Sequence, residues 1–172
     1  MSTKLSRLLT LTTAVVVLSA IQPSILSAQT SGVGADGFTR ILWRGTDGKI
    51  SVWKLNAGLS HVADVQYGPF AGWDPIALTV GSNNNTYVLW RNTDGSISLW
   101  RLDGNLNFVT NRLFGPYDGW KAQGLGSGGG QLRVIWRYTL GQVSVWNVDQ
   151  NSLNLLDSAA HGPFFGWDPG AP

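Results

Sequence analysis

Tryptophan recurs in this chain with a fixed period, and this repeat constrains the fold more than any other feature. Trp43, Trp90 and Trp136 lie 47 and 46 residues apart, each within a Leu-Trp-Arg or Ile-Trp-Arg tripeptide. Two further sets keep nearly the same spacing: Trp53, Trp100 and Trp146, and Trp73, Trp120 and Trp167. A period of this length indicates an array of equivalent structural units. We therefore expect three copies of one unit.

The N-terminal residues have the order of parts of an export signal. Lys4 and Arg7 precede an apolar run from Leu8 to Ala20, and Leu26-Ser27-Ala28 offers small residues for cleavage. The apolar run is too short for a comfortable membrane span. The sequence thus predicts a signal peptide at residues 1–28, a secreted, extracellular or periplasmic location, and no membrane insertion after cleavage.

Charge argues against nucleic acid as a partner. The chain has 12 Lys and Arg and 10 acidic residues, all of them Asp. Two of the cations, Lys4 and Arg7, lie in the predicted leader, so the remainder has ten charges of each sign. A neutral domain lacks the concentrated positive patch that nucleic acid requires. Its neutrality also leaves little repulsion between copies.

The middle repeat illustrates the expected unit. Asp94-Gly95 favours a tight hairpin turn, and Gly115-Pro116 marks a loop at the end of the unit. Strands are predicted at residues 75–80, 86–91, 96–102 and 106–113. Residues 29–172 should therefore form a single all-β domain of three four-stranded antiparallel meanders, with repeats at roughly 31–75, 76–122 and 123–169.

Four strands per repeat fit two closed folds. A four-stranded meander is the blade of a β-propeller, with the apolar strand Ile76–Val80 innermost, and this is the architecture we expect. The alternative is a β-trefoil, which the count of three repeats favours, because propellers have four to eight blades. A propeller would therefore need a homo-oligomer to complete it.

The repeat resembles the blades of lectin-type β-propellers, namely the tachylectin-2/tectonin group and the fucose-binding lectins. Leu89-Trp90-Arg91, Asp94-Gly95 and Ile97–Trp100 carry this resemblance, which covers the whole predicted mature chain. It also resembles secreted bacterial repeats with Leu-Trp-Arg, Thr-Asp-Gly and Gly-Pro-x-x-Gly-Trp elements. The fucose lectins bind sugar with an Arg, a Glu and an aromatic residue. This chain has no Glu, so the resemblance implies the architecture and a carbohydrate ligand, without that set of residues.

Catalytic groups are sparse, and we predict no enzyme activity, no cofactor and no metal site. His61 and His161 are the two histidines, and they occupy different positions in their repeats. Cysteine is absent. The sequence has no cluster of metal ligands, no nucleophile motif and no paired carboxylates.

Residues suited to glycan binding recur in every repeat. An indole covers the apolar face of a sugar, while Arg and Asp bind its hydroxyls. The candidate binding residues are Trp73, Trp120, Trp167, Arg44, Arg91, Arg137, Asp47 and Asp94. The same Arg and Asp could instead pair across the hairpin or stack on a Trp to stiffen the unit. The sequence therefore predicts a secreted carbohydrate-binding, lectin-like module, and the alternative is a structural or protein-interaction scaffold at the cell surface.

Overall fold

The computed structural model describes residues 31–167, so the predicted signal peptide lies outside the described residues. Every regular element in this range is a β-strand, and no helix is present there that could cross a membrane. The first sheet has β1 (Ser31–Val33), β2 (Thr39–Arg44), β3 (Ile50–Leu55) and β4 (His61–Tyr67). The second has β5 (Trp73–Val80), β6 (Thr86–Asn92), β7 (Ile97–Leu102) and β8 (Phe108–Phe114). The third has β9 (Trp120–Gly128), β10 (Gln131–Tyr138), β11 (Val143–Asp149) and β12 (Leu155–His161).

The three sheets are separate and antiparallel, and each runs in chain order from its first to its fourth strand. The first strands, β1, β5 and β9, lie next to one another, so they form the inner edges, as expected for Ile76–Val80. Separate meanders packed side by side are propeller blades, whereas a trefoil would join its strands into a barrel. The prediction of an all-β fold of propeller-like blades is confirmed.

The hydrophobic core lies between blades, and blade 2 contributes residues from both of its faces. We call the face towards the following blade the front face, and the opposite one the back face. One core joins the front face of blade 1 to the back face of blade 2, where Trp90 is buried. A second core joins the front face of blade 2 to the back face of blade 3, where Trp136 is buried. Stability therefore comes from the two blade junctions.

The β2–β3, β6–β7 and β10–β11 turns and the Gly-Pro loops lie at one end of the blades, here called the hairpin end. Gly48, Gly95 and Gly141 occupy these turns with φ of 80°, 89° and 90°, a region that glycine enters without strain. All three Gly-Pro bonds, at Gly68, Gly115 and Gly162, are cis. The three repeats therefore share the backbone conformation of these turns as well as their sequence.

Each outer strand carries a β-bulge near its start. In blade 1 the register shifts between Lys54 and Leu55, so that Val62 lies between two paired residues of β4. Equivalent shifts in the other blades leave Val109 of β8 and Leu156 of β12 without a cross-strand partner. A bulge bends the outer strand and increases its twist.

Candidate functional site

The Gly-Pro loops of blades 1 and 2 reach towards the following blade. In blade 1, the Phe70 ring lies edge-on to two indoles of blade 2, with centroid distances of 5.5 Å to Trp90 and 5.3 Å to Trp100. These two indoles are themselves 5.1 Å apart, and we call them an indole pair. Phe70 remains 37% exposed, because the ring covers the pair from the solvent side.

The same contact recurs at the next junction. The Tyr117 ring of blade 2 lies 5.6 Å from Trp136 and 5.4 Å from Trp146 of blade 3, again edge-on. Tyr117 is 39% exposed. Each junction therefore presents one half-exposed aromatic ring, fixed in place by two indoles.

A backbone hydrogen bond fixes the loop against the neighbouring hairpin. The Thr93 N–H donates to the Gly72 carbonyl at 2.9 Å, and the Thr139 N–H donates to the Gly119 carbonyl at the same distance. The two loops are consequently held in the same position relative to the following blade.

Two of the predicted binding tryptophans, Trp73 and Trp120, begin the inner strands β5 and β9. Trp73 and Trp120 are half-buried and pack against the junction cores, which leaves only part of each indole for a ligand. Trp120 also lies 5.0 Å from the Tyr138 ring. Trp167 is 77% exposed. The three equivalent residues therefore have different surroundings.

The predicted arginines occupy the hairpin ends of the second strands. Arg44 forms an exposed ion pair with Asp74 of blade 2, with Nη2 2.6 Å from Oδ1. Arg91 is the cross-strand partner of Asp74 and donates to the Ala122 carbonyl of blade 3 at 3.3 Å. Arg137 pairs across its sheet with Lys121, which occupies the place of Asp74. At the first junction, an arginine and a carboxylate of neighbouring blades thus form an ion pair.

The predicted aspartates stabilise their own hairpins. Asp94 Oδ1 accepts the Ser96 N–H at 2.7 Å, and Asp47 Oδ1 accepts the Lys49 N–H at 3.1 Å. The backbone hydrogen bond from Lys49, assisted by its ammonium group, lowers the pKa of Asp47. Both aspartates lie near the loops at the hairpin end, but their oxygens already have partners in the turn.

A separate cleft opens on the back face of blade 1, with a volume of about 560 Å³. Its lining includes the indole pair Trp43 and Trp53, whose centroids are 5.1 Å apart, together with Arg44 and Asp47. His61 and Asp64 form an exposed pair there, with Nε2 3.2 Å from Oδ1. Among residues 31–167 no group of three or more His, Cys, Asp or Glu could hold a metal ion. Apolar walls with a polar rim suit an aromatic or saccharide group.

The fold is similar to that of solved lectin structures. No protein-family model matches the sequence, and a search of curated proteins finds no match. Among solved structures, a mutant of the lectin of Aleuria aurantia in complex with Fucα1-6GlcNAc is similar, with a TM-score of 0.54 and 17% identity over 80% of this chain. The same mutant lectin with α-methyl-L-fucoside gives a TM-score of 0.51 and 15% identity over 77% of this chain. This chain spans 48% and 44% of those two chains.

Sequence reasoning missed the aromatic residue that follows each Gly-Pro pair. Phe70 and Tyr117 contact the indole pairs, whereas Trp73 and Trp120 lie at the starts of the inner strands. A signal was present, since Phe70, Tyr117 and Phe164 occupy the same position in all three repeats. Asp74 was also missed, because it lies outside the repeated hairpin.

Proposed function

We propose that this protein is a secreted carbohydrate-binding, lectin-like module without catalytic activity, and that it binds glycans at the hairpin end of its blade junctions. The observation that carries this proposal is the surface around Phe70. Its ring is half-exposed, and the loop that carries it leads into Trp73 and Asp74. The Asp74 carboxylate pairs with Arg44.

A rigid aromatic ring and an exposed ion pair, which are close together in the chain at residues 70 and 74, match the surface chemistry of a sugar. The apolar C–H face of a pyranose packs against an aromatic ring, and its hydroxyls bind to charged oxygens and N–H groups. Because Phe70 is held by two indoles, little conformational entropy is lost on binding. Tyr117 with Lys121 and Arg91 offers a related surface at the second junction.

Two junctions on one end of the molecule would act together. Weak sites that are displayed on one face gain affinity for a polymer or cell surface that presents many copies of the ligand. The predicted leader at residues 1–28 supports an extracellular encounter with such surfaces. The lectin neighbours, solved with fucosylated ligands, support the carbohydrate class by fold alone.

A glycan array probed with the full chain tests the proposal, followed by titration of the best ligand with intrinsic tryptophan fluorescence. Arg44→Gln should weaken binding at least fivefold. The fold should remain stable, because an exposed ion pair contributes only about 0–1 kcal/mol. Arg112→Gln, on the outer strand β8, is the matched control and should bind as the original protein does.

The alternative is a scaffold without a small ligand. The half-burial of Trp73 and Trp120 against the cores favours this function, because those indoles already serve packing. A chain that binds no glycan on the array, and whose fluorescence is unchanged by sugars, would reject the lectin proposal in favour of the scaffold.

A further inference from the structure

The two internal junctions show what covers the back face of a blade. In blade 2 this face presents the indole pair and, further along, Leu102 and Leu106, both buried by blade 1. In blade 3 the same positions are Trp136, Trp146, Val148 and Leu153, which blade 2 covers. The covered back face at each internal junction therefore includes an indole pair and two aliphatic residues near the far end of the blade.

Blade 1 carries the same set without a preceding blade among the described residues. Its indole pair has an interplanar angle of 50°, close to the 47° of Trp90 and Trp100. Leu55 is half-buried, and Leu59 is 71% exposed. The back face of blade 1 is thus already formed in the arrangement that is covered elsewhere.

Leu59 is the most informative member of this set. Leu59, Leu106 and Leu153 share a left-handed backbone, with φ of 61°, 69° and 59°. Such a conformation is strained for a leucine, because its Cβ comes too close to the following carbonyl oxygen. At Leu106 and Leu153 burial in a junction offsets this strain. At Leu59 no such burial occurs within residues 31–167, although the residue and its conformation are retained.

Blade 3 has the complementary front face. Ile50 and Ile97 are buried at their junctions, whereas the equivalent residue of blade 3, Val143, is only half-buried. Val145, on the same face, is also half-buried. Its Gly-Pro loop projects Phe164, which is 48% exposed and equivalent to Phe70 and Tyr117. This blade therefore offers the ring that the indole pair of blade 1 lacks.

We propose that the front face of blade 3 in one copy docks on the back face of blade 1 in a second copy. Phe164 then contacts Trp43 and Trp53, and Leu59 packs on the exposed aliphatic residues of blade 3. The Thr46 N–H, equivalent to those of Thr93 and Thr139, donates to the Gly166 carbonyl of the other copy. The cleft of about 560 Å³ is filled by this contact.

Two such contacts close a ring. A head-to-tail contact generates either a closed ring or an open filament. Two copies of three blades give six, within the usual range of four to eight. The described blades correspond to 48% of the similar lectin chain, about half of its length. The balanced charges expected for residues 29–172 leave little repulsion to overcome.

Light scattering during size exclusion of the full chain, with sedimentation equilibrium, tests the proposal. The expected particle is a dimer. Leu59→Gly should raise the dimer dissociation constant at least tenfold while stabilising the isolated subunit, because glycine accepts the positive φ. Leu113→Ala, at another exposed leucine on the outer strand of blade 2, is the control and should leave the dimer unchanged.

A mixing experiment distinguishes head-to-tail docking from a symmetric contact between two first blades. Leu59→Arg and Phe164→Arg should each give monomers, and a mixture of the two variants should regain a dimer with one intact contact. A mixture that stays monomeric would overturn the head-to-tail arrangement. A filament would overturn the closed ring. A monomeric original chain would overturn the docking itself.

Discussion

The Arg40 guanidinium is fully buried and paired through two nitrogens with the Asp36 carboxylate, at 2.7 Å from Nη1 to Oδ1 and 2.6 Å from Nη2 to Oδ2. Nη1 also donates to the Phe38 carbonyl. The turn that holds Asp36 is fixed to blade 2 by the Asn84 side chain, which accepts the Asp36 N–H. The ion pair thus links the β1–β2 turn to the first blade junction.

Asp36→Asn should destabilise the fold strongly. The substitution leaves a buried guanidinium without its counter-charge, a loss of about 3–5 kcal/mol in the free energy of unfolding. Urea denaturation monitored by tryptophan fluorescence measures it. Asp47→Asn, in an exposed ion pair with Lys49, should leave the free energy of unfolding nearly unchanged. Equal losses in the two variants would refute the structural role of the Arg40 pair.

The same ion pair should affect how the free energy of unfolding depends on pH under acidic conditions. The hydrogen bond from Arg40 is the largest cause that lowers the pKa of Asp36. A carboxyl with a lowered folded-state pKa stabilises the fold fully above its ordinary pKa of about 3.9, and that stability is lost as the pH falls through the lowered value. The free energy of unfolding, measured from neutral pH downward, should show this loss. In Asp36→Asn it should fall less steeply with decreasing pH. Identical slopes would contradict the assignment.

Gly119→Ala should be more damaging than Gly72→Ala at the equivalent position. Both residues have a positive φ, 77° and 80°, so each variant pays about 1–2 kcal/mol for the backbone. A Cβ on Gly119 would lie only 2.3 Å from the Tyr138 ring, whereas one on Gly72 meets nothing closer than 3.5 Å. Overpacking adds about 1–3 kcal/mol at Gly119 alone. Thermal denaturation of the two variants measures the difference, and matching losses would exclude the steric effect.

Tyr67→Phe should weaken the first junction slightly. The Tyr67 hydroxyl donates to the Leu106 carbonyl across the two blades at 2.6 Å, and burial raises the pKa of this phenol. Loss of one such hydrogen bond costs about 0.5–1.5 kcal/mol. Tyr117→Phe introduces the residue that already serves at position 70, so its unfolding free energy should change by less than about 0.5 kcal/mol. If chemical denaturation shows a larger loss of unfolding free energy for Tyr117→Phe than for Tyr67→Phe, the stabilising role given to the Tyr67 hydroxyl is wrong.

The strands could be predicted because their determinants are local. The predicted strand at residues 86–91 is observed at Thr86–Asn92, and the one at 96–102 at Ile97–Leu102. Alternating apolar residues set the strands, and Asp94-Gly95 set the turn between them. Three related repeats made the same pattern visible three times.

Burial and the arrangement of the site could not be predicted, because they depend on how one blade meets the next. Trp43 and Trp90 have nearly the same neighbours in sequence, yet Trp90 is buried and Trp43 borders an open cleft. The pairing of Arg44 with Asp74 joins two blades, and no local pattern records it. The aromatic contacts of Phe70 arise in the same way from long-range packing.

The bulges at Val62, Val109 and Leu156 bear on how the protein behaves at high concentration. A regular outer strand would offer a row of unpaired N–H and C=O groups, a template for lateral aggregation through added strands. An extra residue in each of these three strands interrupts the row and twists the edge away. We therefore expect the rim to resist amyloid-like growth, which confines self-association to the flat sides of the sheets.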